Sequence, residues 1–152
     1  MKPAPDDLTR MATIFKALGD KTRLRILALL SSGEICVCHV HESLATSQPK
    51  ASRHLAYLRR VGLVVTRRSG TWVYYRLADA RMGPLVRTVL DTAEHCLAHT
   101  SQCAKDRHRL ASKVPSALEA DAATRPQVRC CECGDSEIVL PLRKHVTGPG
   151  RS

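Results

Sequence analysis

Aromatic side chains are scarce: Phe, Trp and Tyr make up 3% of the 152 residues, with a single Trp and a single Phe. Aliphatic side chains must therefore supply most of any core. Long apolar runs are missing as well. No stretch approaches the ~18 apolar residues of a membrane span, and the opening MKPAPDDLTR has no apolar signal-peptide core. The seven cysteines are an odd number, which excludes a closed set of intrachain disulfides. These absences predict a cytoplasmic protein without a membrane partner, its thiols kept reduced for metal or redox chemistry. No organic-cofactor motif and no catalytic constellation is present, which points away from an enzyme.

Acidic residues are missing from one place in particular. None stands between Ser43 and Ala78, while Lys50, Arg53, Arg59, Arg60, Arg67, Arg68 and Arg76 all fall there. The whole chain has 24 Lys and Arg against 14 Asp and Glu, a formal net charge of +10. Such a balance suits nucleic acid, a membrane surface or solubility alone. Its concentration in one segment favours a face for a polyanion.

The secondary-structure signals are strongest in and before that segment. Asp6 or Asp7 can cap a first helix with Leu8, Met11, Phe15 and Leu18 on one face, ended by Gly19. Asp20 caps KTRLRILALLSS, apolar on most sides and so expected at the centre, with Gly33 as its stop. A short third helix is expected from about Cys38 to Ala45, and a fourth from TSQPK to Arg60, stopping near Gly62. Ser47 is the expected N-cap of the fourth, with Pro49 tolerated in its first turn. Two short helices joined through ATSQ make a helix-turn-helix. LVVTRR, SG and TWVYYRL then read as a basic hairpin turning at Ser-Gly, with Trp72 as its core anchor. The expected fold is mainly α with a small β-hairpin wing: a winged helix-turn-helix.

From about Ala80 to Lys113 the pattern predicts one more helix, with Leu85, Val86, Val89, Leu90, Ala93 and Leu97 as its apolar stripe. Such a helix is expected on the first helix and on a second subunit, giving a homodimer through first and last helices. Residues 1–113 form the expected DNA-binding and dimerisation domain. Residues 114–152 form an expected tail, mostly disordered, that contains Cys130, Cys131 and Cys133.

On the fourth helix, Ala51, Leu55 and Leu58 make an inner face. The expected DNA contacts are Ser47, Gln48, Lys50, Ser52, Arg53, His54 and Tyr57, joined by Arg67 and Arg68 on the wing. Gln and Arg can pair with base edges, whereas Ser and Lys more often fix phosphates. Just upstream stands EICVCHV, whose Cys36 and Cys38 read either as soft-ion ligands or as small core residues. Two residues apart on an ideal helix they would diverge by roughly 200°, so joint binding would require the start of the third helix to leave helical form.

The segments FKALGDKTRLRILALL, EICVCHV, SQPKASRHLAYLRRVGLV and RRSGTWVYYRL resemble, in order, the ArsR/SmtB family of winged-helix repressors, over about Leu8 to Leu77. The likeness is strongest to arsenic- and antimony-responsive members. It implies Cys36 and Cys38 as thiolate ligands of As(III) or Sb(III), and release of a palindromic operator when the metalloid binds. The best-known members of that branch carry a third cysteine three residues after the pair, where this chain has His41. The site must then borrow a third sulfur from elsewhere or remain two-coordinate; the expected lender is Cys103, favoured over Cys96, with Cys130, Cys131 or Cys133 behind them. Rival readings are a repressor sensing cadmium, lead or zinc, and a thiol redox switch. His95 and His99 have a zinc-like i, i+4 spacing but read better as exposed helix histidines.

Overall fold

Each of the first two helices begins where a carboxylate can cap it. The structure, a computed structural model describing residues 6–113, starts with α1 (Asp7–Leu18), where Asp6 accepts a hydrogen bond from the Thr9 N–H at 3.0 Å. Asp20 accepts likewise from the Arg23 N–H at 2.9 Å and opens α2 (Lys21–Leu30). A helix start leaves four N–H groups without intrahelical partners, and a capping oxygen satisfies one of them. Ile26 through Leu30 are all buried, so α2 is the centre of the core, packed against α1 and the C-terminal helices. On α1 the buried residues are Ile14 and Ala17. The stripe expected there, Leu8, Met11 and Phe15, faces outward.

The helix-turn-helix is α3 (Val37–Ser43) and α4 (Gln48–Val61). Its turn is held by backbone bonds from the Ala45 N–H to Glu42 O and from the Thr46 N–H to His41 O. Ala45 has φ 52°, the one non-glycine positive φ among the described residues. Ser47 stands at the N-cap position in extended backbone, yet its side chain makes no capping bond, contrary to expectation. Pro49, at the second helical position, has no N–H to donate, which removes one of the two N–H groups a cap can take. At the other end Gly62 closes α4 in the left-handed region, φ 86°. Its N–H donates to Arg59 O and the Leu63 N–H to Leu58 O, the paired bonds of a Schellman stop.

The wing is β2 (Val64–Ser69) and β3 (Trp72–Leu77), antiparallel, with Ser69 opposite Trp72. The turn is therefore Gly70–Thr71, one residue beyond the expected Ser-Gly step, and Gly70 takes the positive φ of 59° that the turn requires. A third strand joins them: β1 (Ile35–Cys36) pairs with β3, giving the order β1-β3-β2. A strand of two residues has no readable alternation, so the sequence offered no sign of it.

After a single 3₁₀ turn (Ala80–Met82), the helix expected to run to Lys113 is two helices, α5 (Pro84–Ala98) and α6 (Ser101–Lys113). The chain breaks at His99 and Thr100, where the Thr100 carbonyl begins a new ladder by accepting from the Ala104 N–H. The break lets α6 fold back on α2 and α3, burying Cys103, Asp106 and Leu110 at helical spacing. α5 packs chiefly on α2 rather than on the first helix, as had been expected. Cys130, Cys131 and Cys133 lie outside the described residues. Among those described, no helix is long and apolar enough to cross a membrane.

Candidate DNA-reading face and cysteine pair

Ala51, Leu55 and Leu58 are fully buried, which fixes the rotation of α4 about its axis. The opposite face then presents Ser47, Gln48, Lys50 and Arg53 to solvent, with Ser52 half-buried beside them. These side chains can reach a groove. Arg53 makes one weak contact of its own, its Nε donating to Pro49 O at 3.4 Å. Two neighbours expected in the same set are engaged within the protein. Tyr57 is half-buried, and the guanidinium groups of Arg23 and Arg60 lie 4.5 and 4.9 Å from its ring centroid. His54 turns its Nδ1 to 3.7 Å from the Asp20 carboxylate. Burial lowers the His54 pKa, Asp20 opposes that, and the cations Arg23, Lys50 and Arg53 lower it further.

The wing arginines divide in the same way. Both are exposed, but Arg67 forks onto the Glu34 carboxylate, its Nη2 donating at 2.7 Å and its Nε at 3.1 Å to both oxygens. Side chains of adjacent strand residues point to opposite faces, so only one of the two could lie along this side of the sheet. Arg67 is thus tied to the sheet through Glu34.

Cys36 and Cys38 straddle the entry to α3. Cys36 is the N-cap, in extended backbone at φ −78° and ψ 157°, and pairs with Tyr74 of β3. Only Cys38 is on the helix. The third helix, expected from about Cys38, begins one residue earlier at Val37, and pairing with β3 holds Cys36 extended. Cys36 is buried with Tyr74, and Cys38 and Trp72 pack against that couple. The Cys36 Sγ also lies 3.3 Å from His39 Nδ1. Burial pushes the His39 pKa down, with Glu42 opposing and Lys113 assisting. His41 approaches the Thr46 carbonyl in the helix-turn-helix turn, Nδ1 to O 3.3 Å.

Of the expected third thiolates, the two within the described residues, Cys96 and Cys103, are not assembled with this pair. Among the described residues, no three His, Cys, Asp or Glu side chains converge closely enough to hold a metal ion. Cys103 is buried on α6, and its thiol pKa is pushed up by burial and by Asp106, against Arg107 and Arg25. Cys96 is exposed on α5, and none of the four described cysteines is in a disulfide. Their placement on one helix also falls, since the break at His99 and Thr100 separates them. His95 and His99 are exposed, their rings edge to face with centroids 6.0 Å apart.

Comparison with known proteins gives this arrangement a family. Residues 20–66 match the family described as bacterial regulatory protein, arsR family. The chain is 48% identical over 84 residues to an arsenical resistance operon repressor of Escherichia coli, covering 55% of this chain and 71% of that one. It is 54% identical over 65 residues to an arsenic resistance transcriptional regulator of Pseudomonas putida, 42% of this chain and about half, 51%, of the relative's length. A cadmium resistance regulatory protein CadC homolog of Staphylococcus aureus is 43% identical over 77 residues, covering 50% of this chain and 64% of that one. Among solved structures, a homodimeric winged helix-turn-helix DNA-binding domain from Mycobacterium bovis superposes with a TM-score of 0.50 at 35% identity, over 66% of this chain and 96% of that one. These relatives are named as regulators, repressors or DNA-binding domains, not as enzymes. The chain belongs to the arsR family of bacterial regulatory proteins.

Proposed function

We propose that the chain is a homodimeric transcriptional repressor that holds operator DNA until a trivalent arsenic or antimony species binds Cys36 and Cys38. The observation that carries this reading is the position of the pair, at the strand-to-helix entry of α3, the helix packed directly on the reader α4. Two thiols at that junction suit a soft ion, and each must lose its proton to ligate it. Drawing the two sulfurs together moves the start of α3 and hence the seat of α4. Coupling of ~1–3 kcal/mol between such sites is typical and corresponds to about 5- to 150-fold weaker DNA binding.

Dimerisation is supported by the outer face of α1. Leu8 is 75%, Met11 40% and Phe15 59% exposed, at positions that share one helical stripe. An apolar stripe of this kind asks for cover, and the Mycobacterium bovis domain is described as homodimeric. A second reading, a soft divalent ion such as cadmium, draws on the nitrogen of His39 beside Cys36 and on the Staphylococcus aureus relative.

The test is an anaerobic titration of the reduced full-length protein on a duplex it has selected from a random-sequence pool. Arsenite and antimonite are compared with cadmium and with an oxidant. Release by the metalloids at the lower concentration supports the proposal. Release by cadmium alone moves the ligand to the second reading. Release only by oxidant, reversed by dithiothreitol, makes the pair a redox switch.

A further inference from the structure

The wing is tied to the cysteine pair by a row of side chains across the sheet. In the register, Cys36 of β1 and Arg67 of β2 stand directly opposite Tyr74 of β3, one on each side. Side chains in direct cross-strand register point to the same face. Tyr74 thus has the sensor thiol on one flank and the Arg67 side chain on the other. Arg67 lies over the Tyr74 ring, 5.1 Å from its centroid, and reaches past it to Glu34, two residues before Cys36.

The far end of that reach is well defined. The Glu34 side chain is only 4% exposed and takes both Nη2 and Nε of the Arg67 fork. A carboxylate removed from water needs a matched cation, and a planar fork fixes direction as well as charge. Arg67 is therefore clamped at both ends, by its own strand and by the segment that leads into the cysteines. Trp72, next to the wing turn, also packs on the Cys36 and Tyr74 couple with Cys38.

We infer that Glu34 and Arg67 are positioning residues that transmit ligand binding at Cys36 and Cys38 to the wing, in parallel with the route through α3 and α4. An ion that gathers the two sulfurs displaces the Tyr74 ring, and with it the surface on which Arg67 lies. The strand β2 follows, because Arg67 is held to Glu34 and cannot slide independently. Arg68, adjacent on the strand and exposed, is then carried away from the phosphate it serves. This rests on the proposed ligand role of Cys36 and Cys38. It adds that the wing is a second lever and names the side chains that work it.

The test measures DNA affinity with and without saturating arsenite or antimonite, on the selected duplex, for full-length wild type, Glu34→Gln, Arg67→Gln and the double variant. Ion binding is read separately from Trp72 fluorescence, which is unambiguous because the chain has one Trp. Glu34→Gln is expected to bind the ion with wild-type stoichiometry while its release ratio falls about fivefold or more, within the range of ordinary coupling. The double variant should equal either single variant, since all break one link. Should Glu34→Gln fail to fold, Arg67→Lys gives the same readout, keeping the charge but losing the fork. A wild-type release ratio in folded Glu34→Gln or Arg67→Lys would overturn the wing lever and leave the sensor reading intact. A wild type that holds DNA under arsenite, antimonite and cadmium alike would overturn both.

Discussion

The buried carboxylate of Asp106 is the structural test of how α6 holds α3. Asp106 is completely buried and accepts from Arg25 Nε at 2.7 Å and Nη2 at 2.8 Å, and from Gln102 Nε2 at 3.1 Å. The same Arg25 Nη2 donates to Leu44 O, at the end of α3. Asp106→Ala leaves Arg25 in place without its carboxylate. Breaking a fully buried pair from one side costs about 3–5 kcal/mol. The Arg25 side chain is 24% exposed and can recover part of its hydration, so about 2–3 kcal/mol is the expectation here. Urea unfolding read by Trp72 fluorescence measures it, at one fixed protomer concentration because dimerisation adds to apparent stability. The partner experiment replaces both groups, Arg25→Met with Asp106→Leu, and should regain most of the loss because no charge is then stranded. A cost below about 1 kcal/mol for Asp106→Ala, or a double variant no more stable than the single one, would refute the reasoning.

Other outcomes follow from the same geometry. Cys36→Ser and Cys38→Ser should each keep DNA affinity and lose metalloid-induced release, since serine keeps the size but is a poor soft-ion ligand; normal release from both removes the pair as sensor. Lys50→Ala and Arg53→Ala should weaken DNA binding at unchanged metalloid stoichiometry, and a purely phosphate-bound Lys50 should lower the salt slope by about one; unchanged affinity in both would misplace the reader. Phe15→Asp on the exposed stripe of α1 should shift sedimentation toward monomer, and an unchanged dimer would move the interface elsewhere. For pH, His54 has a folded pKa below its ordinary value near 6.5, by burial first and by Arg23, Lys50 and Arg53 despite Asp20. The unfolded chain then binds more protons, so its stabilising contribution is present above that value and lost as pH falls below it. His54→Gln should flatten the decline of stability on the acid side of neutrality; an unaltered slope assigns the decline to other groups such as His39.

Much of this fold was legible because it depends on neighbours in sequence. Asp6 and Asp20 cap within three residues, Gly62 stops α4 by its own φ, and Ala51, Leu55 and Leu58 repeat with the helix. What escaped depends on distant partners. Strand β1 exists because residues 35–36 meet residues 74–75, and nothing local in two residues records that. The break after Ala98 has no proline or glycine; it is decided by where Cys103, Asp106 and Leu110 find burial against α2 and α3. Arg67 and Arg68 look identical in sequence, and only the alternation of the strand and the buried Glu34 separate them. Tyr57 and His54 were drawn inward by Arg23 and Asp20, residues of another helix and its cap.

The same distinction governs the missing third sulfur. From spacing alone Cys103 is a movable thiol near a fraying helix end. In the fold it is a buried residue three positions from Asp106, within the network that fastens α6 to Arg25. Arg109 donates to Ser43 O at 3.2 Å and Lys113 meets Glu42 at 2.9 Å, so the same helix is pinned twice more to the end of α3. Bringing Cys103 to Cys36 would strain these contacts, and its raised pKa adds the cost of forming the thiolate. His39, already 3.3 Å from the Cys36 sulfur, requires no such movement. A ring nitrogen thus already lies beside one sulfur of the pair. A third sulfur, where one is recruited, must repay the loosening of α6, and that loosening would act on α3, the helix through which the reader is held.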